Sequence, residues 1–568
     1  MHVSNIWHHF IPSHEMKKKW LFVITIIIAV FTIVVIYFKT RTDKDFGPIV
    51  KNKLQQIVSD GSNRLYRLQL DSVHIDIVKG QIVLSNIILR VDSTRLAQLD
   101  SIKQAPNDIF NIELKSLSVS GIGPGDILDK KNIDLNDIII DNPVVEFFHH
   151  KRDYNYTEPD TINLYRRIQK SLVHFSLNNL QLNKVDFSYH NLTNKKVLTK
   201  FKDISLSFKN ILIDSSTQYD SSRFLYAKDA LIFLHDYSIT ISDNLYAFHF
   251  DSAILNASSR EMELKALSIK PKGNKNDFSE KLPYYSDRYD VNISHASIKN
   301  INWYGLLNGE VFTAQQIKLN NATVEVFADR TLPPFPNSRI GNYPHQLLMK
   351  IKIPVYIPTI EADNIKVVYK ELNPKSKKTG ELVFDNIKGI FKNVTNQKAM
   401  FKKNNILELN ATASFMDAAP IHAVFKFNLS ESEKGIFSVG AEIDSLDARK
   451  LTNTTAALGL FEINSARINK LVTHIDGNNL QAKGTLMLLY DSLKITALKP
   501  DDKTGNLKKR GLISFVANNI ILHESNTTKD DNTDLKKVSY QRDIHKSFFN
   551  LVWKSMLDGI KKTVKGKD

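Results

Sequence analysis

The chain has 568 residues, with 76 Lys and Arg against 60 Asp and Glu, a formal net charge of +16, and no cysteine. A chain of this length is too long to fold around one small hydrophobic core. The lack of cysteine excludes disulfides, thiol nucleophiles and thiolate metal sites. The positive charge is spread along the sequence without a long basic block, so it favours anionic partners in general.

The first predicted element is a membrane-spanning helix at residues 20–38, whose sequence WLFVITIIIAVFTIVVIYF contains no charged side chain. As a helix it would be about 28 Å long, close to the hydrocarbon thickness of a bilayer. No small-residue cleavage site follows, so we expect a retained anchor behind a tail at residues 1–19. Basic residues flank the span equally on both sides, so charge alone does not set its orientation.

After a linker with a short helix at residues 39–64, apolar residues alternate with polar ones up to about residue 525. For example, the alternating segment that contains Val73, Ile75 and Ile77 is followed by a Lys-Gly turn and a second alternating segment. Period-2 patterns with short turns predict antiparallel β-strands, so the expected fold is mainly β.

Three segments recur later in the chain at nearly one offset. LYRLQLDS at residues 65–72 returns as LYAFHFDS at 245–252, and IIIDNPVVEFF at 138–148 returns as IKLNNATVEVF at 317–327. FKDISLSFKNI at 201–211 returns as FDNIKGIFKNV at 384–394. The order predicts a duplicated β module at residues 65–220 and 245–396, stacked end to end, followed by a third β module at 397–525.

The C-terminal segment, residues 538–568, has apolar residues every four positions from Ile544 to Val564, with lysines largely off this stripe. The pattern predicts a basic amphipathic helix. Two roles fit it equally: docking to a membrane surface or partner, or covering the open end of its own sheet. The residues predicted to dock are Phe548, Phe549, Val552, Trp553, Met556 and Ile560.

No motif supports catalysis, so no catalytic residue, metal or cofactor is expected. GIGPG at residues 121–125 lacks the Lys-Ser/Thr and helix of a phosphate loop and is typical of a turn. His149 and His150 are adjacent, so they point to opposite faces of a strand and do not share a metal. Neither a Gly-x-Ser-x-Gly elbow nor HExxH occurs in the sequence.

The order of motifs resembles the AsmA-like family of Gram-negative envelope proteins, relatives of TamB and YhdP. The resemblance begins with the anchor and LDSVHIDIVKGQIVLSNIILRVD, continues through SLSVSGIGPGDIL and IIIDNPVVEFF, and includes LQAKGTLMLLYDSLKITAL. It is most telling in the tail, SYQRDIHKSFFNLVWKSMLDGIKKTVKG, which is similar to the ending of a two-repeat subgroup.

This resemblance implies a single-pass inner-membrane protein with its bulk in the periplasm and an elongated antiparallel β-sheet groove of stacked repeats. Like bridge-like lipid-transfer proteins, it would hold phospholipid acyl chains and assist their movement between the inner and outer membrane. An outer-membrane or periplasmic protein partner is also expected, and a nucleic acid is not. The open alternative is a filled β body, that is, a structural or regulatory protein aiding outer-membrane protein assembly.

The residues predicted to line the groove share the apolar faces of the alternating strands. They are Tyr66, Leu68, Leu70, Val73, Ile75, Ile77, Tyr246, Phe248, Phe250, Val324, Val326, Ile365, Val367, Tyr369, Phe425, Phe427, Leu486 and Leu488.

Overall fold

The computed structural model describes residues 46–76, 78–121, 132–155, 165, 169, 173–193, 196–241, 245–307, 311–501, 506–509, 523–526 and 535–565. The predicted membrane-spanning segment at residues 20–38 and most of the GIGPG turn lie outside the described residues. In the described part of the chain, none of the helices has both the length and the apolar character that crossing a bilayer requires.

Strands dominate the described chain, which confirms the mainly β fold. They are β1 Tyr66–Gln69, β2 Ser72–Asp76, β3 Gln81–Val91, β4 Asp108–Ser120, β5 Asn132–Asp141, β6 Val144–His149, β7 His174–Asn191, β8 Lys196–Ile213, β9 Ala227–Ile241, β10 Tyr246–Asn256, β11 Glu261–Pro271, β12 Asp287–Lys299, β13 Phe312–Thr313, β14 Gln316–Asp329, β15 Val355–Leu372, β16 Thr379–Thr395, β17 Ile406–Phe415, β18 Ala419–Asn428, β19 Phe437–Ile443, β20 Leu446–Asp447, β21 Phe461–Gly477, β22 Gln481–Pro500, β23 Leu507–Lys509 and β24 Lys536–Gln541.

Short helices lie between the strands and a longer one closes each end of the described chain. They are α1 Phe46–Gly61, α2 Ser93–Ser101, α3 Lys275–Glu280, α4 Trp303–Leu307, α5 Pro344–Met349, α6 Lys398–Phe401, α7 Thr452–Gly459 and α8 Phe548–Lys565.

The 24 strands form one sheet in which pairing follows the chain. Neighbours are antiparallel, except that β5 and β6 run parallel to β7, and β13 and β14 run parallel to β15. Five positions hold two strands end to end, for example β1 and β2 beside β3. The strands therefore occupy about 19 positions, which at about 4.8 Å per strand gives roughly 90 Å along the curved sheet.

The two repeats place their bulges at equivalent positions. Residues with positive φ, which kink a strand and re-aim its side chains, recur at offsets of 179 to 183 positions. The pairs are Asn86 and Ala266, Asn142 and Asn321, Lys184 and Asn364, Asp203 and Asn386, and Asn210 and Asn393. Four of the five second members are Asn, which tolerates this backbone region better than most residues. The repeat-like character of the sheet is thus visible in its irregularities as well as in its strands.

One face of the sheet, here called the inner face, carries the alternating apolar side chains. A row of inner-face residues crosses the first repeat perpendicular to its strands, and every member is buried. The row consists of Leu68, Leu89, Ile112, Val145 and Phe187. Helix α1 covers the first end of this face, where Val50 and Leu54 are each only 1% exposed. The first repeat therefore has a filled core.

Helix α8 covers the other end of the inner face. It packs over β22 and the edge strand β24, with Leu551 only 1% exposed. Gly559 makes this approach possible, because a Cβ built there would lie 2.6 Å from Val538 Cγ1 and 2.7 Å from Leu486 Cβ. Close helix–sheet packing at this end requires a residue without a side chain.

Candidate functional site

The predicted lining residues lie on the inner face with two degrees of burial. Ten are buried: Tyr66, Leu68, Leu70, Tyr246, Phe248, Phe250, Ile365, Phe427, Leu486 and Leu488. Seven are half-buried: Val73, Ile75, Val324, Val326, Val367, Tyr369 and Phe425. Ile77 lies outside the described residues. The inner face is less completely covered around the half-buried members of β14, β15 and β18, which are Val324, Val326, Val367, Tyr369 and Phe425, whereas Ile365 of β15 and Phe427 of β18 are buried.

A row of small residues crosses this less covered region. It runs perpendicular to the strands from β15 to β21 through directly paired positions. Its members are Ala362, Gly389, Ala411, Ala423, Ala441 and Thr473. We call this row the furrow. The alanines are half-buried, and the hydroxyl of Thr473 donates to the carbonyl oxygen of Thr485 at 2.9 Å. The furrow floor therefore carries no unpaired side-chain polar atom.

Large side chains flank the furrow on both sides. The row two residues away in one direction is Phe391, Leu409, Phe425, Val439 and Ile475. The row in the other direction is Ala413, Ile421, Ile443 and Leu471, so on this side the flanking residues are large from β18 to β21 and small at β17. Because alternate residues of a strand lie about 6.8 Å apart and apolar atoms touch at about 4 Å, the space above the small row is about one hydrocarbon chain wide. Its length across six strands is about 24 Å.

The first repeat has no such space at the equivalent place. There the inner-face row reads Ile140, Leu182 and Leu206, which pair with one another across β5, β7 and β8. The second repeat has Leu319, Ala362 and Gly389 at these positions. The furrow therefore begins where the second repeat has Ala362 and Gly389 at the positions of Leu182 and Leu206 in the first repeat.

Helix α8 lies at one end of the furrow. Its three flanks make different contacts. The packed flank, which includes Phe548 and Val552, is buried against the sheet. The charged flank faces β24, where the Asp558 carboxylate accepts the backbone N–H of Ser539 at 3.1 Å. The third flank is apolar. Its Phe549 is 63% exposed, and its ring meets Phe425 edge to face at 6.4 Å between centroids.

Of the six residues predicted to dock, Phe548 and Val552 thus pack on the protein's own sheet. Trp553 is 46% exposed beside Phe549 on the apolar flank, where Met556 and Ile560 are half-buried. The helix covers the end of its own sheet and still presents an uncovered apolar flank. Docking by this flank to a membrane or a partner stays a prediction.

Two bridging segments close the furrow region above and below. Helix α7 ties β16 and the turn before it to β21. The Ser376 hydroxyl in that turn donates to the Ala457 carbonyl at 2.7 Å, the Thr454 hydroxyl donates to the Glu381 carbonyl of β16, and the Thr452 hydroxyl donates to the Ile463 carbonyl of β21 at 2.9 Å. At the other strand ends, residues 330–354, here called the strap, carry α5. From the strap, the Tyr343 hydroxyl donates to the Asn478 carbonyl at 3.0 Å. The inner face is therefore enclosed on both rims in this region.

A Ser-His-Asp arrangement occurs on the outer face of β9 and β10. The Ser238 hydroxyl lies 2.9 Å from His249 Nδ1, and His249 Nε2 lies 2.8 Å from an Asp251 oxygen. Ser238 and Asp251 are exposed and His249 is half-buried, so the three side chains lie on the solvent-facing surface of the sheet. Within the described ranges, no group of three potential metal ligands occurs.

The sequence pattern indicates which large apolar residues share the inner face, and it does not indicate the small ones. A run of alternating large apolar residues signals an inner face directly, whereas Ala411, Ala423 and Ala441 are unremarkable until their strands are paired. The sequence does show that each alanine alternates in step with the inward-facing residues of its own strand. Only the register, with its bulges, aligns them into one row.

Comparison with known proteins gives no family: no protein-family model and no curated protein matches this chain significantly.

Proposed function

We propose that this protein is an AsmA-like envelope protein, anchored in the inner membrane by residues 20–38, whose periplasmic β-sheet forms a groove for lipid acyl chains. It would assist phospholipid movement between the inner and outer membrane without chemistry of its own. The observation that carries the proposal is the furrow. An apolar strip about one chain wide, flanked mostly by large side chains and with half-buried alanines along its floor, is a surface that a hydrocarbon chain would cover.

The energetics fit a carrier rather than a trap. A chain that slides along a uniform apolar lining exchanges one contact for a similar one, at about 25 cal/mol per Å² on both sides, so each step is nearly neutral. Direction must then come from the membranes or from a partner.

The test is lipid occupancy of the full-length protein, measured by mass spectrometry of co-purified phospholipid. Replacing Ala423→Leu together with Ala441→Leu fills the furrow with side chains, and we expect most of the bound lipid to be lost. The matched control is His422→Leu, an exposed outer-face neighbour on the same strand. Equal lipid in the double variant and the wild type, with both folded, would contradict the proposal.

A second candidate function, a structural or regulatory envelope protein aiding outer-membrane protein assembly, is favoured by the filled first repeat. A body whose task is to scaffold needs a packed core and no ligand. This alternative predicts that neither the wild type nor the variants carry stoichiometric lipid.

A further inference from the structure

Cations crowd around Tyr285 at the rim of the inner face. The buried Tyr285 ring lies 4.4 Å from the Arg330 guanidinium carbon, 4.5 Å from Lys546 Nζ and 5.7 Å from the Arg339 guanidinium carbon. These residues come from three segments: the residues just before β12, the strap, and the linker between β24 and α8. The Tyr285 hydroxyl fixes the linker by donating to the His545 carbonyl at 3.2 Å.

Carboxylates do not balance this cluster. Asp287 lies 3.7 Å from both Arg330 and Arg339, and Glu371 accepts from Arg330 at 3.3 Å. Among the described residues, no carboxylate lies within ion-pair distance of Lys546 or of Arg542.

Arg542 adds a further charge beside the cluster. It is buried, stacks on the Tyr343 ring at 4.4 Å, and donates to the carbonyls of Asn479 at 3.1 Å, Arg339 at 2.9 Å and Lys546 at 3.4 Å. Burial lowers the pKa of its guanidinium, which remains a cation at neutral pH. The nearby Asp543 carboxylate accepts the backbone N–H of His545. Even with Asp543 included, four cations face three anions.

A track of inner-face residues leads from this cluster to the furrow. The Tyr369 hydroxyl accepts from Arg330 at 3.3 Å and donates to Glu371 at 2.6 Å. Tyr369 pairs with Val326, and two residues further along β15 lies Val367, all of them half-buried. Ala362, the first member of the furrow, lies about 23 Å from Tyr369 along the same strand.

We propose that the Tyr285 cluster, formed by Tyr285, Arg330, Arg339, Arg542 and Lys546, binds the anionic head group of an amphiphile whose chain lies on the track. This proposal rests on the proposed function, since the chain must occupy the inner face. Lysine offers a compact charge with three donors, and arginine offers a planar fork, so together they suit phosphate or carboxylate oxygens. A partly desolvated rim strengthens such contacts relative to water.

The experiment uses the full-length protein in a nonionic amphipathic polymer and three probes with the same twelve-carbon chain: dodecyl phosphate, dodecanoate and dodecylphosphocholine. Binding is measured by calorimetry at low and high salt. We expect the two anionic probes to bind more tightly than the zwitterionic one, and this preference to shrink at high salt. Comparing the affinity for dodecyl phosphate with that for dodecanoate shows which of the two anionic head groups the cluster prefers.

The key variant is Lys546→Ala, which leaves the inner face intact. It should weaken anionic binding about fivefold, the size of one lost ion pair, and leave dodecylphosphocholine unchanged. Lys546→Arg should restore the preference. Lys561→Ala removes an exposed lysine of α8 and should change nothing.

The outcomes separate the two proposals. If no probe binds the wild type, the groove and the head-group site both fail. If all probes bind equally and Lys546→Ala has no effect on selectivity, the head-group site alone is contradicted. Loss of stability in Lys546→Ala with unchanged selectivity would also contradict it, because the cluster would then only fasten the linker to the rim.

Discussion

Tyr66 and Tyr246 occupy equivalent places 180 positions apart and make the same contact. Each is buried, and each hydroxyl accepts a backbone N–H from the strand after next: Phe110 at 3.3 Å and Tyr289 at 3.2 Å. Burial raises the pKa of both hydroxyls, so both are neutral at physiological pH. The shared Leu-Tyr of the sequence echo therefore has a physical cause.

Removing either hydroxyl should destabilise its repeat. Tyr66→Phe or Tyr246→Phe leaves a backbone N–H without its acceptor, at a cost of about 1–3 kcal/mol in the free energy of unfolding. Chemical denaturation measures this. Tyr219→Phe, at a tyrosine that is 64% exposed, serves as control and should change stability little. Equal effects at all three positions would contradict the role given to the hydroxyls.

The buried imidazole of His345, in the strap, should make the stability of the protein depend on pH. It is fully buried and stacks on Phe427 at 5.1 Å, and among the residues that the structure describes neither of its ring nitrogens has a hydrogen-bond partner. Burial lowers its pKa to about 4. The unfolded chain takes up this proton near pH 6.5, so acidification favours unfolding, by about 2 kcal/mol between pH 7.5 and 5.

The variant His345→Phe keeps an aromatic ring and removes the titration. Denaturation midpoints at pH 7.5 and 5 should differ less in this variant than in the wild type. An unchanged pH dependence would show that other groups cause it.

At the scale of elements, the strand pattern was predictable from sequence and the furrow was not. Alternation reports which side chains share a face of one strand, because the side-chain period is fixed at two. The furrow depends on alignment between strands, which bulges at residues such as Asn364 and Asn386 shift by local backbone geometry. The stripe of α8 was likewise predictable, but the choice between its sheet-packed and uncovered flanks required the position of β24.

The packing of α8 can be tested by two glycine substitutions. Gly559→Ala places a Cβ against Val538 and Leu486 and should lower stability by about 1–3 kcal/mol, with faster proteolysis of the C-terminal helix. Gly61→Ala, at the end of α1, has nothing within 4 Å of the added Cβ and is the matched control. If both variants are equally stable, α8 does not pack as described.

Over the whole molecule, the sheet both twists and curves, and this brings distant rims together. Adjacent strands rotate by about 20° relative to each other, so the nine steps from β12 to β24 accumulate roughly half a turn. Because nine steps at about 4.8 Å also span roughly 43 Å along the sheet, the contact between Tyr285, just before β12, and the linker after β24 requires the sheet to curve as well as twist. The enclosed inner face is therefore a property of the continuous sheet rather than of any single repeat.

The anchor predicts the location of the whole protein. Replacing residues 1–44 by a cleavable signal peptide should release the β body from the membrane fraction, because residues 20–38 would be gone. The full-length chain should stay membrane-bound after a high-salt wash. Retention of the truncated form after that wash would mean that another part of the chain holds it to the membrane.

The furrow should hold hydrocarbon in the cell, and photo-crosslinking from side chains beside it detects this. The photoreactive residue p-benzoylphenylalanine replaces Phe425 or Phe549 beside the furrow, and Tyr219 as an exposed control. After illumination in cells, mass spectrometry should find phospholipid adducts at Phe425 and Phe549 and none at Tyr219. Absence of adducts at both furrow positions, or equal adducts at all three, would contradict the account.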